Sequence, residues 1–156
     1  LKVITCKTRR TPDTSLNPAI KSLNYLNNIL AKEEVIEAEA DEGIMLNHEG
    51  WVAECTGDNI FLVQNGQIVT PPTEAGILRG ITRDAVIEVA RARGYTVGEE
   101  LFRREEVLAA DECFLTGTAA EIIPVTKVDG RVIGSGKPGP VTGRLMRAFR
   151  EMIGSA

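Results

Sequence analysis

The dipeptide Asn65-Gly66 constrains the fold of this chain more than any other local feature. Both residues accept the positive φ angles of a two-residue hairpin turn, and the segments IFLV at residues 60–63 and QIVT at residues 67–70 can pair across them. The sequence therefore predicts an antiparallel hairpin near the middle of the chain. Any fold proposed for the chain has to accommodate that pair of strands.

Helical and strand patterns alternate around this hairpin. The spacing of Leu23, Leu26 and Leu30 predicts an apolar stripe on a helix. Glycine after the second helical pattern, at Gly94, predicts its C-terminal end. We expect helices over residues 18–38, 82–93, 104–110 and 141–153. We expect strands within residues 1–10 and over residues 44–47, 51–55, 59–64, 67–70, 95–101, 112–116, 122–128 and 131–133. Hairpins and crossover helices together indicate an α/β fold with a mixed sheet.

Composition places the chain among folded, globular proteins. It has 156 residues, 43% hydrophobic and 26% charged, which fits one domain with its own core. The net charge is −4 and no run of Lys or Arg exceeds two residues, so we expect no nucleic-acid partner. No apolar run reaches the roughly 20 residues of a membrane span, and no signal peptide is recognisable. We expect a cytoplasmic protein without a membrane partner.

Cysteine and histidine usage argues against a metal site. Cys6, Cys55 and Cys113 are widely spaced and contain no Cys-x-x-Cys pair, which favours reduced, partly buried thiols. His48 is the single histidine, so zinc sites with the usual ligand spacing are almost excluded. Nucleophilic systems that need a histidine would depend on His48 alone. We expect no bound metal.

Lys21 is a candidate nucleophile because the sequence places it near the start of the first helix. The positive end of a helix disfavours the charged ammonium form, and only a neutral amine can form a Schiff base. Tyr25 follows four residues later, on the same face of that helix. Asn24 and Asn28 share this side, so the group could equally be the solvated face of the helix.

Glu54 is a candidate buried acid. Its neighbours Val52, Ala53 and Cys55 are apolar or small, and a carboxylate turned inward among them would need a polar partner. The alternative, that Glu54 faces solvent, is equally compatible with the sequence.

Two glycine-containing loops are candidate anion sites. Residues 78–82 precede a helix, so free backbone N–H groups and the Thr82 hydroxyl meet at its positive end. Residues 117–120 offer a second group of N–H donors together with the Thr118 hydroxyl. Arg83 could add charge to the first loop or lie on the surface. Both threonines could instead be ordinary turn or cap residues.

These groups together suit pyridoxal phosphate. That cofactor requires a lysine at its aldehyde, a hydrogen bond at its phenolic oxygen, an acid at its ring nitrogen and a phosphate cup. The candidates are Lys21, Tyr25, Glu54 and the two glycine loops.

Five segments of the chain strongly resemble the class IV (fold type IV) aminotransferases. The lysine segment is NPAIKSLNYLNN at residues 17–28, and the glutamate segment is ECTGDNIF at residues 54–61. A phosphate loop, LRGITR, follows at residues 78–83. TGTAAEIIPV at residues 116–125 and GKPGPVT at residues 136–142 resemble the remaining two motifs. The resemblance covers nearly the whole chain in order, and it implies a mixed sheet partly closed into a barrel with flanking helices.

Within that family, the lysine segment and the TGTAAE segment look like those of branched-chain amino acid aminotransferases. The resemblance implies that Lys21 is the catalytic residue, binding the cofactor and then moving the substrate's α-proton. It implies that Tyr25 contacts the phenolic oxygen and that Glu54 keeps the ring nitrogen protonated. It also implies six further contact residues. These are Leu78, Gly80, Ile81, Thr82 and Thr118 for the cofactor, with Thr118 and Ala119 for the substrate carboxylate.

The resemblance also carries expectations for the whole protein. It implies transfer of an amino group between a branched-chain L-amino acid and 2-oxoglutarate by a homodimer. The runner-up activities on the same scaffold are those of D-amino-acid aminotransferases and aminodeoxychorismate lyases. A non-catalytic fragment is the third hypothesis.

Two departures from the family pattern bear on these expectations. Residues 1–156 match only the larger, C-terminal, cofactor-binding domain, so the small N-terminal domain is expected to be absent and activity to be weak. Cys55 stands where the family usually has glycine, which would leave a thiol near the cofactor.

Overall fold

The hairpin at Asn65-Gly66 is present in the computed structural model, which describes residues 1–154. Asn65 has a φ angle of 51° and Gly66 one of 77°, as a two-residue turn of this twist requires. Gln64 pairs directly with Gln67 across the turn. The most constraining prediction from the sequence is therefore confirmed.

The described residues form ten strands and four α-helices. The strands are β1 (Lys2–Thr5), β2 (Glu42–Leu46), β3 (Val52–Cys55), β4 (Asn59–Gln64), β5 (Gln67–Thr70), β6 (Val97–Glu99), β7 (Glu112–Gly117), β8 (Glu121–Val125), β9 (Lys127–Val128) and β10 (Arg131–Val132). The helices are α1 (Leu26–Glu37), α2 (Ile81–Ala92), α3 (Arg104–Ala109) and α4 (Pro140–Gly154). A short 3₁₀ helix at Thr73–Ala75 was not predicted.

The strands form two mixed sheets of five strands each. The first has the order β10-β9-β1-β2-β3, and the second has the order β6-β5-β4-β7-β8. Parallel pairs (β1 with β2 and β9, β5 with β6) stand beside antiparallel ones, which confirms the mixed α/β class. Within residues 1–154 the two sheets do not join into a closed barrel. Between β3 and β4 a turn closes with Cys55 N–H donating to Asp58 O at 2.7 Å, and the chain then passes to the other sheet.

The core is arranged in layers. One apolar cluster lies between the two sheets and includes Val3 and Ile44 of the first sheet and Ile60 and Leu115 of the second. A second cluster packs the opposite face of the second sheet against α2 and α4. A smaller third cluster packs α1 on the first sheet. Because both faces of the second sheet are covered, the four central positions of β4 are all apolar, which is the pattern of a strand buried on both sides.

Helix α1 begins later than predicted, at Leu26 rather than near residue 18. In residues 17–24, where a helix was expected, local hydrogen bonds stabilise turns. The Asn17 side chain accepts from the backbone N–H of Ala19 at 2.9 Å, and the Ser22 hydroxyl accepts from that of Asn24 at 3.3 Å. Asn and Ser side chains compete in this way with helical hydrogen bonding. Lys21 therefore lies in a loop before the helix and not in its first turn, where the sequence had placed it.

The buried face of α1 is also the opposite of the expected one. Leu26 and Leu30 are exposed, and Leu23, which lies before the helix, is fully exposed. The helix instead buries Asn28, Ala31 and Val35 against the first sheet. The predicted apolar stripe therefore forms a surface of this chain. Within residues 1–154, no helix combines the length and apolar character that crossing a bilayer requires.

The last helix is fixed to the second sheet by a buried carboxylate. Glu112, at the start of β7, accepts hydrogen bonds from the backbone N–H groups of Val141 and Thr142 at 2.9 and 2.7 Å. The Thr142 hydroxyl donates to the same carboxylate at 2.7 Å. A carboxylate at a helix N-terminus satisfies free N–H groups and opposes their partial positive charge. This contact orients β7, whose other end reaches the candidate site.

Candidate active site

Seven of the sequence-predicted site residues line one open pocket. The pocket lies where β3, β4 and β7 end or begin and where α2 starts. Its predicted lining residues are Lys21, Glu54, Leu78, Gly80, Ile81, Thr82 and Thr118. The pocket thus holds a primary amine, a buried acid and the first turn of a helix together.

Tyr25 and Ala119 stand outside that lining. Tyr25 borders a neighbouring pocket, which shares Lys21 and Leu78 with the first. It is half exposed, and its hydroxyl donates to the carbonyl of Thr56 at 3.3 Å. Ala119 follows Thr118 in the exposed turn between β7 and β8. Tyr25 therefore lies beside the pocket near Lys21, and Ala119 lies beside it next to Thr118.

Glu54 is buried, which decides between the two interpretations of its position. It is 5% exposed at the centre of β3. The Oε2 atom accepts from the backbone N–H of Leu78 at 3.1 Å and from Asn59 Nδ2 at 3.3 Å. The Oε1 atom lies 2.7 Å from Arg10 Nη2. Burial raises the pKa of Glu54 to about 7, although the charge of Arg10 and the hydrogen bond from Leu78 act in the opposite direction.

Arg10 is itself held by several groups. Its Nη1 donates to Asn28 Oδ1 at 2.7 Å, and its Nε donates to the carbonyl of Gly76 at 3.3 Å. The amide of Asn28 in turn donates to the carbonyl of Thr56 at 2.8 Å. Asn28 is buried on α1 for this reason, because its side chain links the guanidinium to the turn after β3. Helix α1 therefore determines where Arg10 meets Glu54.

The start of α2 has free donors that could bind an anion. Gly80 is the N-cap residue and no side chain caps the first turn, so its N–H groups remain available for a ligand. A β-carbon at Gly80 would collide with Asn59 Oδ1, which explains why glycine is needed here. Asn59 Nδ2 donates to the carbonyl of Leu78 at 2.9 Å and so fixes the loop that enters the helix.

Two expectations about neighbouring residues are wrong. Cys55 is 1% exposed and belongs to the core cluster between the sheets, so its thiol does not line the pocket. The guanidinium of Arg83 lies neither on the surface nor beside the first turn of α2 as a ligand for an anion. It is 1% exposed, and its Nη2 donates to the carbonyl of Pro71 at 3.0 Å and to Glu99 at 2.7 Å. These bonds join α2 to the segments after β5 and at β6.

The sequence did not single out Arg10, Asn59 or Thr116 as site residues, and it placed Asn28 only on the polar side of the first helix, with Lys21 and Tyr25. Asn59 lies within the glutamate motif, and Thr116 begins the TGTAAE segment, yet neither had a distinct role. The pairing of Arg10 with Asn28 has no local signal, because 18 positions separate them and only the tertiary fold brings them together.

Comparison with known proteins shows the family of this chain. The family model described as "Amino-transferase class IV" matches residues 1–128. The chain belongs to this family. A protein of Methanocaldococcus jannaschii is 49% identical over 152 residues, which are 97% of this chain and 53% of that protein. The branched-chain-amino-acid aminotransferase of Pseudomonas aeruginosa is 44% identical over 146 residues, 94% of this chain and 47% of that enzyme.

A solved structure of this family gives the same result. The branched-chain amino acid aminotransferase of Thermobaculum terrenum, in its PLP-form, superimposes with a TM-score of 0.95 at 41% identity. The alignment covers 98% of this chain and 50% of that one. This class IV aminotransferase chain therefore spans about half the length of the relatives that it matches.

Proposed function

We propose that this chain is the cofactor-binding C-terminal part of a pyridoxal-phosphate-dependent branched-chain amino acid aminotransferase. The observation that carries the proposal is the pocket shared by Lys21, Glu54 and the α2 N-terminus. The relatives described above are named for this reaction, and the Thermobaculum terrenum enzyme was solved in its PLP-form. The reaction proposed is amino-group exchange between a branched-chain L-amino acid and 2-oxoglutarate.

The residues present fit pyridoxal phosphate. Beyond its ion pair with Arg10, the buried Oε1 atom of Glu54 accepts no hydrogen bond from the described residues, so it retains a lone pair for the ring nitrogen. The uncapped N–H groups of α2, with the Thr82 and Thr118 hydroxyls, offer donors to a phosphate. Leu78 lines the pocket and offers an apolar side chain to the ring. When bound, the cofactor supplies an aldehyde for the amino group and a ring that accepts electrons from the α-carbon.

Each protein group has a separate task in this proposal. The Lys21 residue is exposed and lines the pocket, where its amine would take the proton from the substrate's α-carbon and pass it to the carbon that carried the cofactor's aldehyde. Glu54 holds the proton at the ring nitrogen, and Arg10 stabilises the charged form of Glu54. Tyr25 approaches the phenolic oxygen from the neighbouring pocket. The N–H groups at Thr118 and Ala119 orient the substrate carboxylate.

A single-turnover experiment tests this function. The chain is loaded with pyridoxal phosphate and mixed with L-leucine or with D-alanine, and the 2-oxo acid is measured by mass spectrometry. We expect slow formation of the 2-oxo acid from L-leucine, and none in Lys21→Ala, because that variant lacks the base. Product from D-alanine alone would contradict the proposed substrate class. Equal product from Lys21→Ala would contradict the catalytic assignment.

We also propose that the protein is a homodimer in which the exposed side of α1 takes part. Leu26, Ile29, Leu30 and Ile36 are between 45% and 69% exposed on that helix. Four large apolar side chains exposed together on one helix are typical of an interaction surface. Light scattering of the wild type and of Leu26→Glu/Leu30→Glu tests this: a dimer reduced to a monomer supports it, and a monomeric wild type contradicts it.

The cytoplasm is the compartment that we propose for this activity. Cys6, Cys55 and Cys113 are all free and buried in the described structure. Three cysteines without a disulfide among them are typical of a reducing compartment. Fractionation of the native cells with an antibody against the chain tests this assignment, and recovery in a membrane or secreted fraction would contradict it.

A further inference from the structure

Thr116 combines deep burial with a place in the lining of the pocket. It lies near the end of β7, is 1% exposed, and lines the same pocket as Lys21 and Glu54. It pairs with Asn59 on the neighbouring strand β4. Asn59 is the residue that donates to Glu54 and to the Leu78 carbonyl. Thr116 is therefore centrally placed among groups that have a proposed role in binding.

The hydroxyl of Thr116 has no hydrogen-bond partner within residues 1–154, and its Oγ1 atom is buried. Three other buried threonines of this chain behave differently. Thr70 donates to the Ile60 carbonyl at 2.8 Å, Thr142 donates to Glu112 at 2.7 Å, and Thr56 donates to Glu42. Buried polar groups in proteins are nearly always paired. Thr116 departs from this rule, and it is the one of these four threonines that borders the candidate site.

Such a hydroxyl destabilises the chain unless a ligand pairs with it. An unpaired buried hydroxyl carries a desolvation penalty, whereas valine has the same shape and carries none. The fold alone would therefore favour valine at this position, beside the apolar neighbour Leu115. A ligand with an anionic oxygen would accept a hydrogen bond from the Oγ1 atom and remove the penalty.

We propose that Thr116 is a further cofactor-binding residue, whose hydroxyl donates a hydrogen bond to pyridoxal phosphate in this pocket. The proposal rests on the proposed function, because it takes the cofactor from there. It concerns binding only, since a threonine hydroxyl is neither a strong acid nor a strong base. Thr116 thus joins Thr82 and Thr118 as a third hydroxyl on the lining of the pocket.

Two substitutions separate this role from a structural one. Thr116→Val keeps the shape and removes the hydroxyl, and Thr116→Ser keeps the hydroxyl and removes a methyl group. Urea unfolding without cofactor measures stability, and absorbance titration with pyridoxal phosphate measures Kd. We expect Thr116→Val to be at least as stable as the wild type without cofactor and to bind pyridoxal phosphate about tenfold more weakly. We expect Thr116→Ser to keep its Kd within about threefold of the wild type.

The possible results distinguish this inference from the proposed function. A wild-type chain that binds pyridoxal phosphate, with Thr116→Val binding equally well, would overturn the role of Thr116 and leave the function intact. A Thr116→Val chain that is less stable than the wild type without cofactor would also overturn it, because the hydroxyl would then have a structural partner. A wild-type chain that does not bind pyridoxal phosphate would overturn the proposed function and this inference with it.

Discussion

Arg10 Nη2 lies 2.7 Å from Glu54 Oε1, and both side chains are more than nine-tenths buried. Each is additionally held by hydrogen bonds, Arg10 to Asn28 and Gly76, and Glu54 to Asn59 and Leu78. A buried charge pair of this kind is costly to break, because the charge that remains is neither paired nor solvated by water. The pair connects α1 with the pocket, and the proposed chemistry depends on the ionisation of its carboxylate.

Replacing Arg10 by methionine should destabilise the chain in a pH-dependent way. Without the guanidinium, only the hydrogen bond from Leu78 still opposes the effect of burial, and the pKa of the Glu54 carboxyl rises further above its ordinary value. At pH 8, where wild-type Glu54 is mostly ionised, we expect a loss of about 3 kcal/mol in the free energy of unfolding. At pH 6 the loss should be smaller, because Glu54 can stay protonated. Urea unfolding at the two pH values measures both.

Arg9→Met is the matched control for Arg10→Met. Arg9 is the adjacent arginine and is exposed, so its replacement should change the free energy of unfolding by less than about 0.5 kcal/mol at either pH. An equal loss of stability at pH 6 and pH 8 in Arg10→Met would contradict the coupling to Glu54.

Glu54→Gln should change how stability depends on pH. The folded-state pKa of Glu54 is about 7, against 4.5 for an ordinary glutamate, so the folded chain holds a proton that the unfolded chain releases. The resulting stabilisation is complete below about pH 4.5 and is lost as pH rises through 7. Relative to Glu54→Gln, the free energy of unfolding of the wild type should therefore fall by about 2 kcal/mol between pH 5 and pH 8, as measured by urea unfolding.

The exposed glutamate Glu88, on α2, provides the control for this pH series. Its replacement by glutamine should leave the difference from the wild type nearly constant over the range. If Glu54→Gln also showed a constant difference, the carboxyl would have no raised pKa in the folded chain.

Gly80→Ala should disturb the anion site, whereas Gly57→Ala should not. The new β-carbon at Gly80 would collide with Asn59 Oδ1, so Asn59 has to move away from Leu78 and Glu54. We expect a destabilisation of about 1–3 kcal/mol, as for other overpacked sites. Gly57 borders the same pocket, but a β-carbon there meets no atom within 4 Å. Equal urea midpoints for the two variants would contradict the close contact at Gly80.

The three native cysteines should be unreactive in the folded chain. Burial raises the pKa of Cys6 and of Cys113 to about 12, and it raises that of Cys55 well above its ordinary value. The thiolate is the reactive form, so iodoacetamide at pH 8 should label none of them until urea unfolds the chain. Ala109→Cys, at an exposed position of α3, should be labelled in the folded chain. Rapid native labelling of Cys55 would contradict its place in the core.

Most of the strands could be predicted from the sequence because their signals are local. The predicted strands at residues 59–64 and 67–70 have the same first and last residues as β4 and β5, since a turn dipeptide and apolar runs define them. Helix α2 was predicted one residue late at each end, and Gly94 has the expected positive φ angle of 84°. Hydrogen bonds within a few residues determine each of these features.

Features that depend on distant parts of the chain could not be predicted in this way. Leucine spacing alone indicated the wrong buried face of α1, because Asn28 is needed inside by Arg10, which lies 18 residues earlier. The division into two sheets likewise depends on pairings between β1, β2 and β9, which lie far apart in sequence. The functional motifs were found through their resemblance to a family, whereas the partners of Glu54 required the fold.

The most direct test of the central claim is to mix the 156-residue chain with pyridoxal phosphate, reduce it with borohydride and map the modified peptides. Lys21 borders the pocket that holds Glu54 and the α2 N-terminus, so we predict a new visible absorbance band before reduction and cofactor fixed on Lys21 after it. Lys32, which pairs with Glu42 away from the pocket, should stay unmodified. No band, or label spread over several lysines, would contradict the assignment of this pocket as the cofactor site.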